Sequence, residues 1–539
     1  MADEVPLEDF TLTGSVQTSS GKLQGFKDEA NQVDVFLGIP YAEPPVGSLR
    51  FRPTVPLDTP NIERTCTAHA PAAPQVAMPF DTLMCVEINY QSEDCLYLNV
   101  WRPSNSSTDK PKPVIVWFHP GALGWMSMGH ISSDLKESAN LGLLDQITVL
   151  KWVQKNIASF GGDPNNVTAF GSSAGAACIM SLILSPNTAG LFRRVVLQSP
   201  PMFMVSPKKW AEMKGNIFVR SLGLDESDLL QDLQSIDIEM LLESQTFMTT
   251  WPNFLEGLAP IGNSVDNQLL HKTVIEHFFH EPLPAGYEDL EIMIGYTRDE
   301  FNFFFPFLPN FQEMDDSIFV RTYFTHVFGY KNNRQAYELY KQEIVPPMSP
   351  PSEVARYMCS DVMSRMATLL TAENLSRHGH KVYLYQWNYE SNDVQNVIKA
   401  AHMVDSIFSW DNLVYWTDNP FLGPGDDHER DRIAKQISGA IAQFAKTGDP
   451  NRDGLPLWPL HNEEERSALV FDSEVYSENN IYQTGVHLWK TVLKDYVVNT
   501  SFPIKPKENK KESSKDKDLL ISPPETVGPS DKKRKFEEQ

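Results

Sequence analysis

Three stretches of the chain carry residue types that do chemistry together. Gly171-Ser172-Ser173-Ala174-Gly175 spells G-x-S-x-G directly after the apolar run 167–170 (VTAF) and opens a helix-forming stretch, Ala176-Ala177-Cys178-Ile179-Met180. A sharp strand-to-helix turn there lifts the Ser173 hydroxyl clear of the backbone. The glycines two before and two after leave room for that turn, and the N–H of Ala174 can face a developing oxyanion. A serine hydroxyl is a weak nucleophile, so a base and an acid that orients the base must accompany it. Downstream acids stand at Asp299 and Glu300, in a loop after 290–295 (LEIMIG). Imidazoles stand at His380 and at His402, the latter within Ala400-Ala401-His402-Met403-Val404-Asp405. Spacing alone does not choose Glu300 over Asp299, nor His402 over His380.

Elements able to hold such groups recur along the chain. Short apolar runs at 34–39 (DVFLGI), 95–101 (CLYLNVW), 113–118 (PVIVWF), 167–170, 194–197 (RVVL), 290–295 and 382–387 (VYLYQW) end at Gly, Pro or polar loops. They are rich in β-branched and aromatic residues and have the length of strands. Between them lie helical patterns. In 141–159, Leu144, Ile147, Leu150, Val153 and Ile157 recur at three- and four-residue steps, the apolar stripe of an amphipathic helix. This alternation predicts an α/β protein with a mostly parallel central sheet and helices on both faces. Such sheets place their chemistry in loops beyond the carboxyl ends of the strands.

Composition narrows the partners. The 539 residues are 41% hydrophobic, enough for a large core, so a wholly disordered chain is excluded. Lys and Arg total 46 against 70 Asp and Glu, a net charge of −24. That charge repels phosphate backbones and anionic membrane surfaces, so no nucleic-acid partner is expected. The opening MADEVPLEDFTLTG has no apolar run and does not read as a secretory leader. No uninterrupted apolar stretch of about 18 residues predicts a transmembrane span. Five cysteines (Cys66, Cys85, Cys95, Cys178 and Cys359) are too sparse for a disulfide framework, which points to reduced thiols and a cytoplasmic setting. Residues 503–539 are Lys-, Glu-, Ser- and Pro-rich and read as a disordered charged tail after a folded region spanning 1–502. Lys532, Lys533, Arg534 and Lys535 in that tail form a basic cluster of the nuclear-import type.

Longer motifs set the elbow in context. Phe36-Leu37-Gly38-Ile39-Pro40-Tyr41-Ala42 with Pro44-Pro45-Val46-Gly47, then Ser92-Glu93-Asp94-Cys95-Leu96-Tyr97-Leu98-Asn99, Gly142-Leu143-Leu144-Asp145-Gln146, Phe160-Gly161-Gly162-Asp163-Pro164 and the elbow itself occur in order. Across roughly residues 7 to 500 the chain resembles the type B carboxylesterase/cholinesterase family. The resemblance implies an α/β-hydrolase fold and a serine carboxylesterase acting on a small-molecule ester. It makes Ser173 the nucleophile, Glu300 the acid that holds the imidazole and His402 the general base. It also sets Arg50 and Glu93 as a structural ion pair. The implied mechanism is two-step acyl transfer through an acyl-enzyme, for which no cofactor and no metal is needed. Two other readings remain in this frame, a catalytically impaired binding or interaction module and an acyltransferase.

Departures from the family pattern bear on the site. The family's His-Gly-Gly-Gly segment here reads His119-Pro120-Gly121-Ala122, so the oxyanion donors would be Gly121 and Ala122 together with Ala174. Pro120 restricts itself and His119, and Ala122 reaches fewer conformations than glycine. The chain then passes from Ala122 to Gly142 without the family's intervening segment, so the sheet is expected to lack one internal strand. The arginine of that segment would pair with Asp145, which therefore loses its partner. The residue before the nucleophile, usually glutamate, is Ser172. The family's disulfide partner of Cys95 lies in a context that here reads Ala73-Pro74-Gln75, so the bridge is lost unless Cys66 or Cys85 substitutes. A choline-binding tryptophan is likewise missing, which argues against quaternary ammonium substrates. Weak turnover is the expectation.

Overall fold

The computed structural model describes residues 11–77, 88, 90–119, 126–201, 205–225, 227–248, 262–307, 313, 315–317, 325–392, 397–416, 419 and 421–493. Cys85, Gly121, Ala122 and the expected tail 503–539, with Lys532, Lys533, Arg534 and Lys535, lie outside these residues. The strands that matter here are β1 (Phe26–Asp28), β2 (Val33–Pro40), β3 (Tyr97–Pro103), β4 (Lys112–Phe118), β5 (Gly162–Ser172), β6 (Arg194–Gln198), β7 (Glu291–Thr297), β8 (Val382–Trp387), β9 (Ala468–Phe471) and β10 (Tyr476–Glu478). The helices are α1 (Leu141–Asn156), α2 (Ala174–Leu184), α3 (Val404–Phe408) and α4 (Asp427–Thr447).

β4 to β10 form one seven-stranded sheet in the order β10-β9-β8-β7-β6-β5-β4. Every pair from β4 to β9 is parallel, and β9–β10 is antiparallel. This is the α/β-hydrolase architecture, a large and mostly parallel sheet flanked by helices. The middle strands are apolar runs because both faces are covered. Val167, Ala169, Phe170, Val195, Val196, Ile292, Ile294, Val382 and Leu384 are fully buried. α2 is apolar all round its axis and correspondingly buried. α1 follows the predicted stripe, burying Ile147, Leu150 and Val153, and its last turn tightens into a 3-10 segment at Ile157–Phe160.

The sheet stops at β4. A separate three-stranded antiparallel sheet, β1-β2-β3, stands apart from it in hydrogen bonding. Burial records the break. β6 to β9 are almost wholly buried and β5 is buried from Val167 on, whereas β4 is half-buried through most of its length and β3, Val100 apart, is half-buried or exposed. Trp101 on β3 is 58% exposed. Among the described residues no strand hydrogen-bonds to both β3 and β4.

Candidate active site

The parallel sheet delivers the three expected residues to one edge. β5 ends at Ser172, and Ser173 takes φ 53° and ψ −123° before α2 begins. A non-glycine residue rarely adopts a positive φ, and holding one there costs about 1–3 kcal/mol, supplied by surrounding structure. That support is visible. The Ser173 amide donates to the Gln198 carbonyl at 2.8 Å, and its carbonyl accepts from Ala177 at 3.0 Å. The flanking glycines are required by close approach. A Cβ on Gly171 would stand 2.6 Å from the Gly175 carbonyl carbon, and one on Gly175 would collide with the carbonyl oxygen of Phe118 at the end of β4. The Ala174 N–H opens α2, where no preceding helical turn supplies an acceptor, and it lies at the positive end of the helix.

Glu300 and His402 meet because the chain after β7 pairs first with the last residue of β8 and then with the histidine loop at 400–402. The Arg298 amide donates to Trp387, the Asp299 amide to Ala400 at 2.9 Å, and the His402 amide to Glu300 at 3.3 Å. Glu300 Oε2 then lies 2.6 Å from His402 Nδ1, while its Oε1 accepts the Thr297 amide at 2.9 Å. Both side chains are buried, and Phe303 and Phe304 pack around the imidazole. Burial alone would push the Glu300 carboxyl up. The imidazole and the Thr297 amide outweigh it and leave the carboxyl below its ordinary value. His402 Nε2 is buried with no hydrogen-bond partner. The structure therefore joins Glu300 to His402 and raises Ser173 on the elbow, but it makes no hydrogen bond from the Ser173 hydroxyl to Nε2. In a resting site such contacts are often long.

The alternative residues are occupied elsewhere. Asp299 Oδ2 accepts from the Arg298 guanidinium at 2.7 and 3.0 Å and from the Ala400 amide at 3.3 Å. His380 sits before β8, at the opposite end of the sheet, with Nδ1 3.2 Å from the Leu290 carbonyl.

Residues that sequence reasoning passed over tie the elbow to the histidine loop. Ser406 Oγ of α3 lies 2.8 Å from Ser172 Oγ and 3.1 Å from Gln198 Oε1. The Ser172 hydroxyl donates to Met403 Sδ at 3.4 Å, and Gln198 Nε2 donates to Ser409 Oγ at 2.9 Å. Ser172 thus fills its buried position with hydroxyl contacts rather than a charge. Lys399 and Met403, flanking the histidine, also have positive φ. Asp405, buried one helical turn beyond His402, accepts from the Tyr385 hydroxyl at 2.6 Å and leaves Oδ1 unpaired. Burial pushes its carboxyl up to about 6. The one signal in the sequence for these groups is that Gln198 is the polar residue closing an apolar strand.

Arg50 and Glu93 form a two-pronged ion pair, Nε to Oε1 at 2.5 Å and Nη2 to Oε2 at 2.8 Å, and Arg50 also donates to the carbonyls of Leu233 and Ile236. Cys66, Cys95, Cys178 and Cys359 are free thiols, so Cys66 does not bridge Cys95. Among the described residues no cluster of three or more His, Cys, Asp or Glu is arranged to hold a metal ion.

Comparison with known proteins gives this geometry its setting. The Carboxylesterase family profile matches residues 13–134 and 121–489, two pieces that overlap in the shortened stretch after β4. Phenmedipham hydrolase of Pseudarthrobacter oxydans is 30% identical over 492 residues, spanning 85% of this chain and 94% of its own. Para-nitrobenzyl esterase of Bacillus subtilis is 30% identical over 500 residues, spanning 86% and 96%. Among solved structures, a carboxylesterase from Geobacillus stearothermophilus superposes with a TM-score of 0.75 at 28% identity, covering 88% of this chain and 100% of that one.

Proposed function

The chain belongs to the carboxylesterase family, and on that premise we propose that Ser173, Glu300 and His402 act as its catalytic triad. Its reaction is carboxylic-ester hydrolysis. The observation that carries the triad is the buried Glu300–His402 pair at 2.6 Å, whose outer nitrogen is unpaired beside a strained serine turn. Glu300 holds the imidazole with Nδ1 protonated and Nε2 free as the base. Nε2 takes the Ser173 proton as Oγ attacks the ester carbonyl, and the negative charge forms on the carbonyl oxygen. The Ala174 N–H receives that oxyanion, with the N–H groups of Gly121 and Ala122 as the further donors. The tetrahedral adduct collapses, and the imidazolium returns its proton to the departing alcohol. Water then attacks the acyl-enzyme by the same route, releasing the acid and restoring Ser173.

Turnover in this reading is low. β4 leads directly into His119 and the donor segment, and it lies at the edge of the sheet instead of its interior. A donor displaced from its place costs about 10²–10³ in kcat. The four free thiols support a reducing, cytoplasmic setting, and Lys532, Lys533, Arg534 and Lys535 supply an import signal for the nucleus. Among the described residues no helix is long and apolar enough to cross a membrane.

The direct test is labelling with a fluorophosphonate, which requires only an activated serine. The parent chain should take up one label on the peptide containing Ser173, and Ser173→Ala should take up none and hydrolyse no aryl ester. Labelling that survives the substitution would remove Ser173 from its role.

A further inference from the structure

The turn that carries Glu300 is fastened on both sides to one stretch of helix. After the helix Pro351–Ser360 the chain makes a single π-helical turn, Asp361–Arg365, before the helix Met366–Arg377 takes over. Arg365 Nη2 donates to the Arg298 carbonyl, two residues before Glu300. The Ser360 hydroxyl accepts the Phe301 amide at 3.1 Å, one residue after it. In an α-helix, residues five apart lie ~140° apart around the axis. Bonding from i to i+5, as from the Met366 amide to the Asp361 carbonyl, carries them most of the way back to one face. The π turn is therefore what lets Ser360 and Arg365 reach the same loop.

A buried guanidinium needs a counter-charge and acceptors for its N–H groups. Arg365 is 3% exposed. Its Nη1 donates to Asp361 Oδ1, and its guanidinium lies 4.4 Å from the centre of the Tyr482 ring. Asp361 Oδ2 accepts from the Tyr340 hydroxyl at 2.6 Å and from the Tyr482 hydroxyl at 2.8 Å, while Trp489 Nε1 donates to the Tyr340 oxygen at 2.6 Å. The ion pair and the ring contact fix the guanidinium. Its bond to the Arg298 carbonyl adds nothing to that charge balance and reaches instead to the backbone of the acid turn.

We propose that Arg365 is a positioning residue for ester hydrolysis. Through the Arg298 carbonyl, with Ser360 on the other side of the turn, it holds the Glu300 carboxylate at its 2.6 Å contact with His402 Nδ1. This role rests on the reading of Ser173, Glu300 and His402 as the triad. A misplacement of about 1 Å at a reacting constellation costs about 10² in rate. Arg365 acts on the acid and not on the ester, so the loss belongs in kcat and not in KM.

Arg365→Met alone would leave the Asp361 carboxylate buried without its cation, which invites misfolding. The test therefore uses the full chain with Asp361→Asn and Arg365→Met together, where the Asn carbonyl still accepts from both tyrosine hydroxyls. On an aryl ester, well below the melting temperature, kcat should fall about 30-fold with KM within twofold. Fluorophosphonate uptake at Ser173 should slow in step. Ser360→Ala, a smaller change that decides the matter if the double variant does not fold, should lower kcat about fivefold by the same route. Tyr287→Phe is the control for loosening in general. It loses a buried hydroxyl bond to Thr188 at 2.7 Å, before the start of β7, and should melt lower with kcat unchanged. The proposal is overturned by a folded double variant whose kcat stays within threefold of the parent, by a Ser360→Ala chain as fast as the parent, or by a Tyr287→Phe chain that slows as much as either. A parent that takes no label at Ser173 removes the triad and this role with it. A labelled parent beside a fast, folded double variant removes the role of Arg365 alone.

Discussion

A carboxylate orients an imidazole only if its oxygens are not committed to stronger donors. Asp299 is committed, with the Arg298 fork and the Ala400 amide on one oxygen. Glu300 keeps Oε2 for His402 and uses Oε1 on the Thr297 amide. Glu300→Gln should therefore lower kcat on an aryl ester by about 10³–10⁴, because an amide holds the wrong imidazole tautomer. Asp299→Asn should stay within about tenfold of the parent, as it weakens a partly exposed pair with Arg298 while the amide oxygen can still accept from Ala400. The reverse outcome would reassign the acid. Asp405 makes a separate, pH-dependent contribution. Its folded carboxyl is raised to about 6 from an ordinary 3.8. Between those values the folded chain binds more protons than the unfolded one, so stability falls as pH rises, and the whole penalty is present above about 6. Asp405→Asn should melt above the parent at about pH 7.5, by the equivalent of roughly 3 kcal/mol. Near pH 4 the two should melt together. An Asn variant less stable at both pH values would show that the charge is not the cost.

The elbow is an element-scale device. Gly171 and Gly175 let β5, α2 and the end of β4 meet at backbone distance, and the Ser173 strain is the consequence of that packing. Gly175→Ala should thus damage far more than a helix-favouring exchange suggests. Its methyl meets the Phe118 carbonyl, a backbone atom that cannot swing away. A loss of about 1–3 kcal/mol and of fluorophosphonate labelling together is expected, read by thermal melting and by probe uptake. An alanine variant that melts and labels like the parent would mean that β4 shifts freely, as an edge strand can.

At the scale of the molecule, the split between β3 and β4 is the feature that sets this chain apart from an uninterrupted hydrolase sheet. The core nevertheless closes, because α1, α2 and α4 pack against β5 and its neighbours and because the 3-10 turn after α1 ties the small sheet in through the Phe36–Phe160 ring contact at 5.1 Å. The proposed boundary near residue 502 makes a further expectation. Cutting the chain after Ser501 removes a segment too polar to build a core, so melting temperature and esterase rate should be unchanged. A clear drop in melting temperature would show that the tail docks.

The strands and the elbow were legible in the sequence because they rest on local patterns. Apolar runs at 113–118, 194–197 and 382–387 became β4, β6 and β8 nearly residue for residue, since a strand covered on both faces must be apolar along its length. G-x-S-x-G was legible because the turn itself is local, with Gly171 set against Gly175, although the demand on Gly175 comes from the distant Phe118 carbonyl. The missing strand was implied by the family resemblance, since the chain passes from Ala122 to Gly142 without the family's intervening segment. Which acid meets which histidine could not be read from spacing. Residues 298–300 and 400–402 are distant in the chain, and only the pairing of the turn after β7 with the histidine loop sets Glu300 against His402. The hydroxyl network of Ser172, Ser406 and Gln198 was invisible on the same ground. Hydrogen bonds between separate elements leave no periodic trace, so the tertiary structure alone decides them.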